Sequence, residues 1–230
     1  SYFVLFYILN VYFNFEKYSE AYELYDSLAS NGLGSFELFY NAGNAAYRSG
    51  NFARAHYYYL KASKYYGSND DLEYNRQLIS ARLEDKIEPL PGFFLETFWE
   101  SIRDLVSLNT WAIIMIICSV LISVSWFFLY GRSSNLKWFW YTLIGLSVFL
   151  FIFSGLMGYD KYQAIEVRQN AVIAENSAYI KSEPSSGSSD LFILHKGTQA
   201  EIIDSQSDWV NIALFDGKKG WIKKSEVWVY

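Results

Sequence analysis

The sequence predicts a multidomain membrane protein: an all-α helical-repeat region, a two-helix transmembrane hairpin and a small all-β barrel. Three observations predict it. Two apolar runs near mid-chain carry no charge, the N-terminal region matches itself at a fixed offset, and from Asn170 onward short β-rich runs alternate with turn formers.

Trp111 to Tyr130 is twenty residues without a charged side chain, and Trp138 to Tyr159 is twenty-two more, joined by the polar link Gly131 to Lys137. At about 1.5 Å of rise per residue, either run as a helix crosses the roughly 30 Å hydrocarbon layer. A core helix of a soluble protein rarely stays charge-free for so long, and two in succession argue for a hairpin over 111–159, with spans 111–130 and 138–159. Trp111, Tyr130, Trp138, Trp140, Tyr141 and Tyr159 cluster at the ends of the runs, where aromatic rings settle at headgroup level. A hairpin puts both flanking regions on one side. The link holds Arg132 and Lys137 and no acid, while the flanks mix signs, so the link points inward and the larger regions outward.

The net charge of −5 is spread evenly: 8 basic and 11 acidic residues precede Phe93, and 8 and 10 follow Tyr159. With no basic patch, nucleic acid is not an expected partner. The lone cysteine, Cys118, lies within the first span, which excludes a disulfide framework and a thiolate metal cluster. The sequence starts at Ser1 without Met, and a cleaved signal and a trimmed terminus both fit.

In the N-terminal region, Tyr18, Ala21 and Tyr25 recur as Phe52, Ala55 and Tyr59, thirty-four residues on. Asn10 and Phe13 recur as Asn44 and Tyr47, and Phe6 as Tyr40. This period with helix-turn-helix spacing is the signature of tetratricopeptide repeats. Gly43 and Ala55 are the small residues where two helices touch, with Tyr47, Phe52 and Tyr59 filling the space around them. Repeat one covers about 2–35 and repeat two about 36–69. Leu9 stands where a small residue is expected, and the usual proline near each repeat end is missing. The first helix, Phe3 to Phe13, is apolar nearly all round: a terminal helix packed on another chain or on the membrane surface, or the tail of a signal sequence. Repeats cannot close their own ends, so a capping helix is expected over Asp70 to Lys86, entered through Asn69-Asp70-Asp71. Leu72, Leu78, Ile79 and Leu83 supply its apolar stripe. The tetratricopeptide domain thus occupies 1–87.

Glu88-Pro89-Leu90-Pro91-Gly92 ends that domain, because proline removes a donor and blocks the helix. Within 88–110, Phe94, Phe98, Trp99, Ile102, Leu105 and Val106 return at helical spacing with Glu96, Glu100, Arg103 and Asp104 opposite. Such a stripe beside a span reads as an interfacial helix, or as a helix packed beneath the repeats. After the hairpin, 160–169 continues the second span as a connecting helix.

Six short strands are expected within 170–230: Ala171 to Ala174, Leu191 to Leu194, Glu201 to Ile203, Trp209 to Leu214, Gly220 to Ile222 and Val227 to Val229. Between them lie the turns Glu183 to Gly187, Lys196-Gly197 and Asp216-Gly217. Strands this short and numerous make a small barrel. Asp208-Trp209-Val210-Asn211-Ile212 with Asp216-Gly217-Lys218-Lys219-Gly220-Trp221-Ile222 resembles the bacterial SH3-like (SH3b) family. Its upstream basic-Ser-Gly-Pro hallmark stands here as Lys181-Ser182-Glu183-Pro184, one glycine short, so that loop binds differently or not at all. Lys181, Glu183, Trp209 and Trp221 are the candidate ligand surface of this domain. The two tryptophans either stack on sugar or fill the barrel core.

The order of parts, with the linker Asp85-Lys86-Ile87-Glu88-Pro89-Leu90-Pro91, resembles the E-type family of the Bat (aerotolerance) operon over nearly the whole length. That resemblance implies a two-pass protein of the bacterial inner membrane with periplasmic N- and C-terminal domains. It also implies membrane-anchored von Willebrand A-domain proteins, other Bat-operon products and a MoxR-type ATPase as partners.

No catalytic constellation, metal-ligand spacing or phosphate loop is visible, so neither an enzyme nor a cofactor is expected. His56 and His195 lie in unrelated regions, and both read as surface residues. The expected function is a membrane-anchored adaptor. The concave face of its repeats shows Phe6, Asn10, Phe13 and Asn14, then Tyr40, Asn41, Asn44, Tyr47 and Arg48. Asparagines there suit a peptide backbone and aromatics suit apolar pockets. The alternative is a membrane-anchored peptidoglycan-binding module working through the barrel.

Overall fold

The computed structural model describes residues 17–65, 69–88, 90, 94–131 and 136–230. The expected helix Phe3 to Phe13, and with it Phe6, Asn10 and Phe13, lies outside the described residues, as does Asn14.

Four helices follow one another: α1 (Tyr18–Ser30), α2 (Phe36–Arg48), α3 (Phe52–Tyr65) and α4 (Asp70–Ser80). Their starts at 18 and 52, and at 36 and 70, are each thirty-four residues apart, the offset of the sequence matches. Side-chain oxygens of Ser35, Asn51 and Asn69 accept the Leu38, Arg54 and Leu72 amides at 3.1, 3.3 and 2.8 Å, capping α2, α3 and α4. Gly32 and Gly50, at φ 82° and 83°, turn the chain out of α1 and α2. Tyr25, Phe39, Tyr58, Tyr59 and Leu60 are fully buried between the helices. Gly43 of α2 is pressed against Tyr59 of α3, and a Cβ at residue 43 would stand 2.5 Å from the ring. The capping helix stops at Ser80, six residues short of Lys86. Lys86 folds back instead, its Nζ donating to the Ser80 carbonyl at 2.6 Å.

The C-terminal region is a seven-stranded antiparallel sheet in the order β3-β2-β6-β5-β4-β1-β7. Its strands are β1 (Asn170–Ile173), β2 (Ser177–Lys181), β3 (Asp190–His195), β4 (Gln199–Gln206), β5 (Trp209–Ala213), β6 (Lys219–Lys223) and β7 (Val227–Val229). One strand exceeds the six expected. β2 was hidden by its mix of Ser, Ala and Lys around Tyr179 and Ile180, and it places Lys181 on a strand, paired with Trp221, rather than in a loop. Gly197 and Gly217, at φ 96° and 87°, make the expected turns. Ala171, Ile173, Ile180, Leu194, Val210, Ile212 and Ile222 fill the sheet's own core. Val172 on the opposite face of β1 joins the core of the helices.

Residues up to 92 and from 168 onward form one compact unit, and 93–167 form a second. The helical region and the sheet are therefore one folded body, not two beads on a string. The second unit holds α5 (Phe94–Asp104), α6 (Leu108–Gly131) and α7 (Lys137–Tyr162), which runs on as a π-helical turn Gln163–Val167. Leu108–Tyr130 and Lys137–Ile165 each hold an 18-residue window of mean hydropathy 2.6 and 1.9, of which only 17% and 11% is buried. Apolar helices this exposed suit lipid rather than a water-soluble core. Tyr130, Trp138, Tyr141 and Tyr159 are exposed at the helix ends, as expected, but Trp111 is buried and donates through Nε1 to the Arg103 carbonyl at 3.1 Å.

Gly43→Ala tests the α2–α3 contact. In an open helix the change stabilises by about 1 kcal/mol, whereas overpacking against a ring costs about 1–3 kcal/mol. The melting temperature of the full chain in detergent should fall. A rise would mean that the helices are not in close contact here.

Candidate functional site

Side chains alternate along the strands, so β5 and β6 send Val210, Ile212 and Ile222 inward and Trp209, Asn211, Trp221 and Lys223 outward. The tryptophans are half-buried on the outer face, and neither belongs to the core. Cross-strand pairing then lays out two rows. Trp209 faces Lys223, and the adjoining strand β2 carries outward Tyr179. In the second row Trp221 lies between Lys181 and Asn211. A cleft of about 630 Å³ opens over the first row, lined by Tyr179, Lys181, Asp190, Trp209, Lys223 and Glu226 among others. The Lys181 ammonium is held 2.6 Å from Asp190, and Lys223 lies over the Trp209 ring at 5.9 Å. The Asn211 side-chain oxygen is buried beside these rows without a hydrogen-bond donor. Two aromatic rings flanking paired and unpaired charges can receive a ligand with both apolar faces and polar substituents.

Of the four sequence candidates here, Lys181 and Trp209 line the cleft and Trp221 stands in the neighbouring row. Glu183 is exposed on the β2–β3 loop, outside the cleft. Tyr179 and Lys223 are additions that follow from strand register alone.

Residues 176–227 match the family described as Bacterial SH3 domain. The C-terminal domain is a bacterial SH3 domain. The match runs from just before β2 to the start of β7, and comparison with curated proteins finds no similar chain.

The repeat face is differently disposed. Asn44 Oδ1 accepts from Tyr59 Oη at 2.8 Å and from Asn75 Nδ2 at 3.2 Å, and Tyr40 Oη accepts from Asn75 at 3.3 Å. Tyr40 stacks on Phe36, and Tyr47 packs on Phe52 beneath the Arg82 guanidinium. Asn41 is half-buried and Arg48 exposed. Most of this set is engaged in holding helices together.

A second cluster joins the helices to the SH3 domain. The β3–β4 turn, His195 to Thr198, presses into the helical region, where a Cβ on Gly197 would meet Leu83 at 2.5 Å. Asp85 accepts three hydrogen bonds from that turn: the His195 amide at 2.7 Å, His195 Nδ1 at 2.8 Å and Thr198 Oγ1 at 2.6 Å. His56 is buried, with Nδ1 2.8 Å from the Gly197 carbonyl, so Nδ1 carries the proton and Nε2 the lone pair. Neither histidine is a plain surface residue, contrary to the sequence expectation, because the fold brings both to one turn. Arg54 lies 3.9 Å over the Trp228 ring, and Tyr57 donates to the Val229 carbonyl at 3.3 Å. A cleft of about 350 Å³ beside this junction is lined by His56, Arg76, Asp85, Thr198, Gln199 and Phe215 among others. Among the described residues no group of three or more His, Cys, Asp or Glu is placed to hold a metal.

Burial, opposed only in part by the Gly197 carbonyl, lowers the His56 pKa from 6.5 to about 4. The hydrogen bond with Asp85 raises His195. For Asp85, burial pushes upward, but the bonds from His195 and Thr198 outweigh it and hold the carboxyl below its usual range. Between pH 6.5 and 4 the unfolded chain binds the His56 proton and the folded chain does not, so stability falls as pH falls through that window. The loss reaches on the order of 3 kcal/mol at its acid end. The His195 contribution has the opposite sign: complete below pH 6.5, lost as pH rises through the raised value. His56→Gln keeps a donor for Gly197 and removes the titration. Melting curves from pH 7 to pH 4 should lose much of their slope in this variant, and an unchanged slope would place His56 outside the junction.

Proposed function

We propose that this chain is a membrane-anchored envelope protein whose SH3 domain binds the cell wall, with peptidoglycan as the ligand. The single observation carrying this reading is the outward row Tyr179, Lys223 and Trp209 over the 630 Å³ cleft. Flat rings offer apolar faces to the carbon face of a sugar, and Lys181, Lys223, Asp190 and Glu226 offer partners to its hydroxyl, amide and carboxylate substituents. The anchor is the α6–α7 hairpin in the bacterial inner membrane. Arg132 and Lys137 in its link favour a periplasmic location for the SH3 domain and the helices.

A second reading is the adaptor, and a different observation favours it. Helix starts repeat at thirty-four residues, which supports a tetratricopeptide register. Tyr74 and Leu78, thirty-four residues beyond Tyr40 and Asn44, are exposed and open to a partner. The Bat-type resemblance suggests von Willebrand A-domain proteins for that role. A photo-crosslinker at Tyr74 in native membranes should then capture such a protein, and no adduct would remove this reading.

For the wall, detergent-solubilised full chain should sediment with purified sacculi. Tyr179→Ala with Trp209→Ala should weaken sedimentation by about tenfold, the factor that 1.4 kcal/mol of lost contact produces, without lowering the melting temperature. Equal sedimentation of variant and wild type would overturn the proposal.

A further inference from the structure

The 350 Å³ cleft beside the junction lies wholly within the larger unit, and its polar groups do not all close on one another. Part of its lining is already engaged: Asp85 is saturated by the His195–Thr198 turn, and Lys86 Nζ is given to the Ser80 carbonyl. Two groups are not. His56 is 8% exposed and spends Nδ1 on the Gly197 carbonyl, and among the described residues nothing donates to its Nε2. Burial keeps that ring neutral, so Nε2 presents a lone pair that only accepts. Arg76 uses Nη1 alone, on Glu73 Oε2 at 3.0 Å, and among the described residues Nε and Nη2 have no acceptor. The Nε–Nη2 edge of a guanidinium seats a carboxylate through two parallel hydrogen bonds. The Arg76 charge reaches both the His56 ring and the Tyr230 phenol, which puts the guanidinium on their side of the cleft. Gln199 gives Nε2 to Tyr230 Oη at 2.8 Å and keeps Oε1 as a further acceptor.

We infer that this cleft binds a free α-amino acid with an apolar side chain, its carboxylate on the open edge of Arg76 and its ammonium donating to His56 Nε2. Each part of the ligand answers a separate feature. The unfilled fork selects a carboxylate, and the buried lone pair selects a donor carried by the same small molecule. The lining sets two cations, Arg76 and Lys86, against three carboxylates, Glu73, Asp85 and Glu88. That excess of negative charge disfavours a plain anion and suits a ligand that brings its own cation. Leu83, Ile87 and Phe215 supply the apolar part of the wall, against which an apolar side chain loses water. A volume of about 350 Å³ stands at the small end of ligand sites and admits a molecule of this size. The site shares no lining residue with the cleft over Trp209, so it is a separate site from the one proposed for the cell wall.

The test uses the full chain in detergent with its two histidines, His56 and His195, labelled at their ring nitrogens with the heavy isotope and read by magnetic resonance. Adding L-leucine or D-leucine should move the His56 Nε2 signal upfield, as an acceptor nitrogen moves when it gains a donor. His195 should stay in place, since Asp85 and Glu84 hold its two ring nitrogens at 2.8 and 3.2 Å. Isocaproate, which lacks the ammonium, and isoamylamine, which lacks the carboxylate, should each need about tenfold more for the same shift. Arg76→Lys keeps the charge and removes the fork. It should raise the half-shift concentration of leucine about tenfold and leave the ligand-free His56 signal where it was. No movement of His56 with either enantiomer up to about 10 mM, where a site of Kd about 1 mM is filled, overturns the inference. Equal potency of leucine and either fragment overturns the amino-acid assignment, and an unaltered response in Arg76→Lys overturns the role of Arg76.

Discussion

Everything in the larger unit depends on how one turn is received. His195 to Thr198 enters the helical region as a plug, and Asp85 meets it with a carboxylate that accepts three hydrogen bonds. A group this saturated has little reason to rotate, and Gly197 allows the backbone closer to Leu83 than any side chain would. Around the plug, Arg54 and Lys196 over Trp228 and Lys64 over Tyr230 add cation–π contacts that tolerate partial hydration. The junction is thus polar at its centre and aromatic at its rim, and the SH3 domain is held without covering Tyr179 or Trp209.

The unit of the two long apolar helices follows a different economy of charge. Its two long helices carry no Asp, Glu, Lys or Arg over 111–130 and 138–159, and Asp160 and Lys161 just past the second join Glu100, Arg103 and Asp104 in one ion-pair cluster. The same cluster that closes the foot of the hairpin also gives α5 its attachment. The larger unit spreads its charges over the surface, whereas here they converge at one end of two long apolar helices.

The hairpin was legible because its signal is local and long: no charge for twenty residues needs no tertiary context. The helical register was legible for a related reason, since α3 and α4 begin where the offset requires. The orientation of Trp209 and Trp221 was not. Either face of an alternating strand with Ile212 and Ile222 on one side and tryptophan on the other passes as core. The outward position of Asn211 and Lys223 beside the tryptophans was the available clue. The junction was beyond reach, because Asp85 and His195 are 110 residues apart and neither has a local partner that marks it. Tyr40, Asn41, Asn44, Tyr47 and Arg48 lie on α2, but the hydrogen bonds of Tyr40 and Asn44 to Asn75, and of Asn44 to Tyr59, depend on how α3 and α4 settle, which spacing does not reveal.

One consequence of the discontinuous unit concerns biosynthesis. Residues up to 92 are translated before the residues from 168 onward that complete their body, with two long apolar helices made in between. The early helices therefore wait, Tyr57 and His56 uncovered, until the strands from 170 onward have been made. A chain interrupted between the two parts would leave His56 and Tyr57 without the backbone partners that Gly197 and Val229 supply.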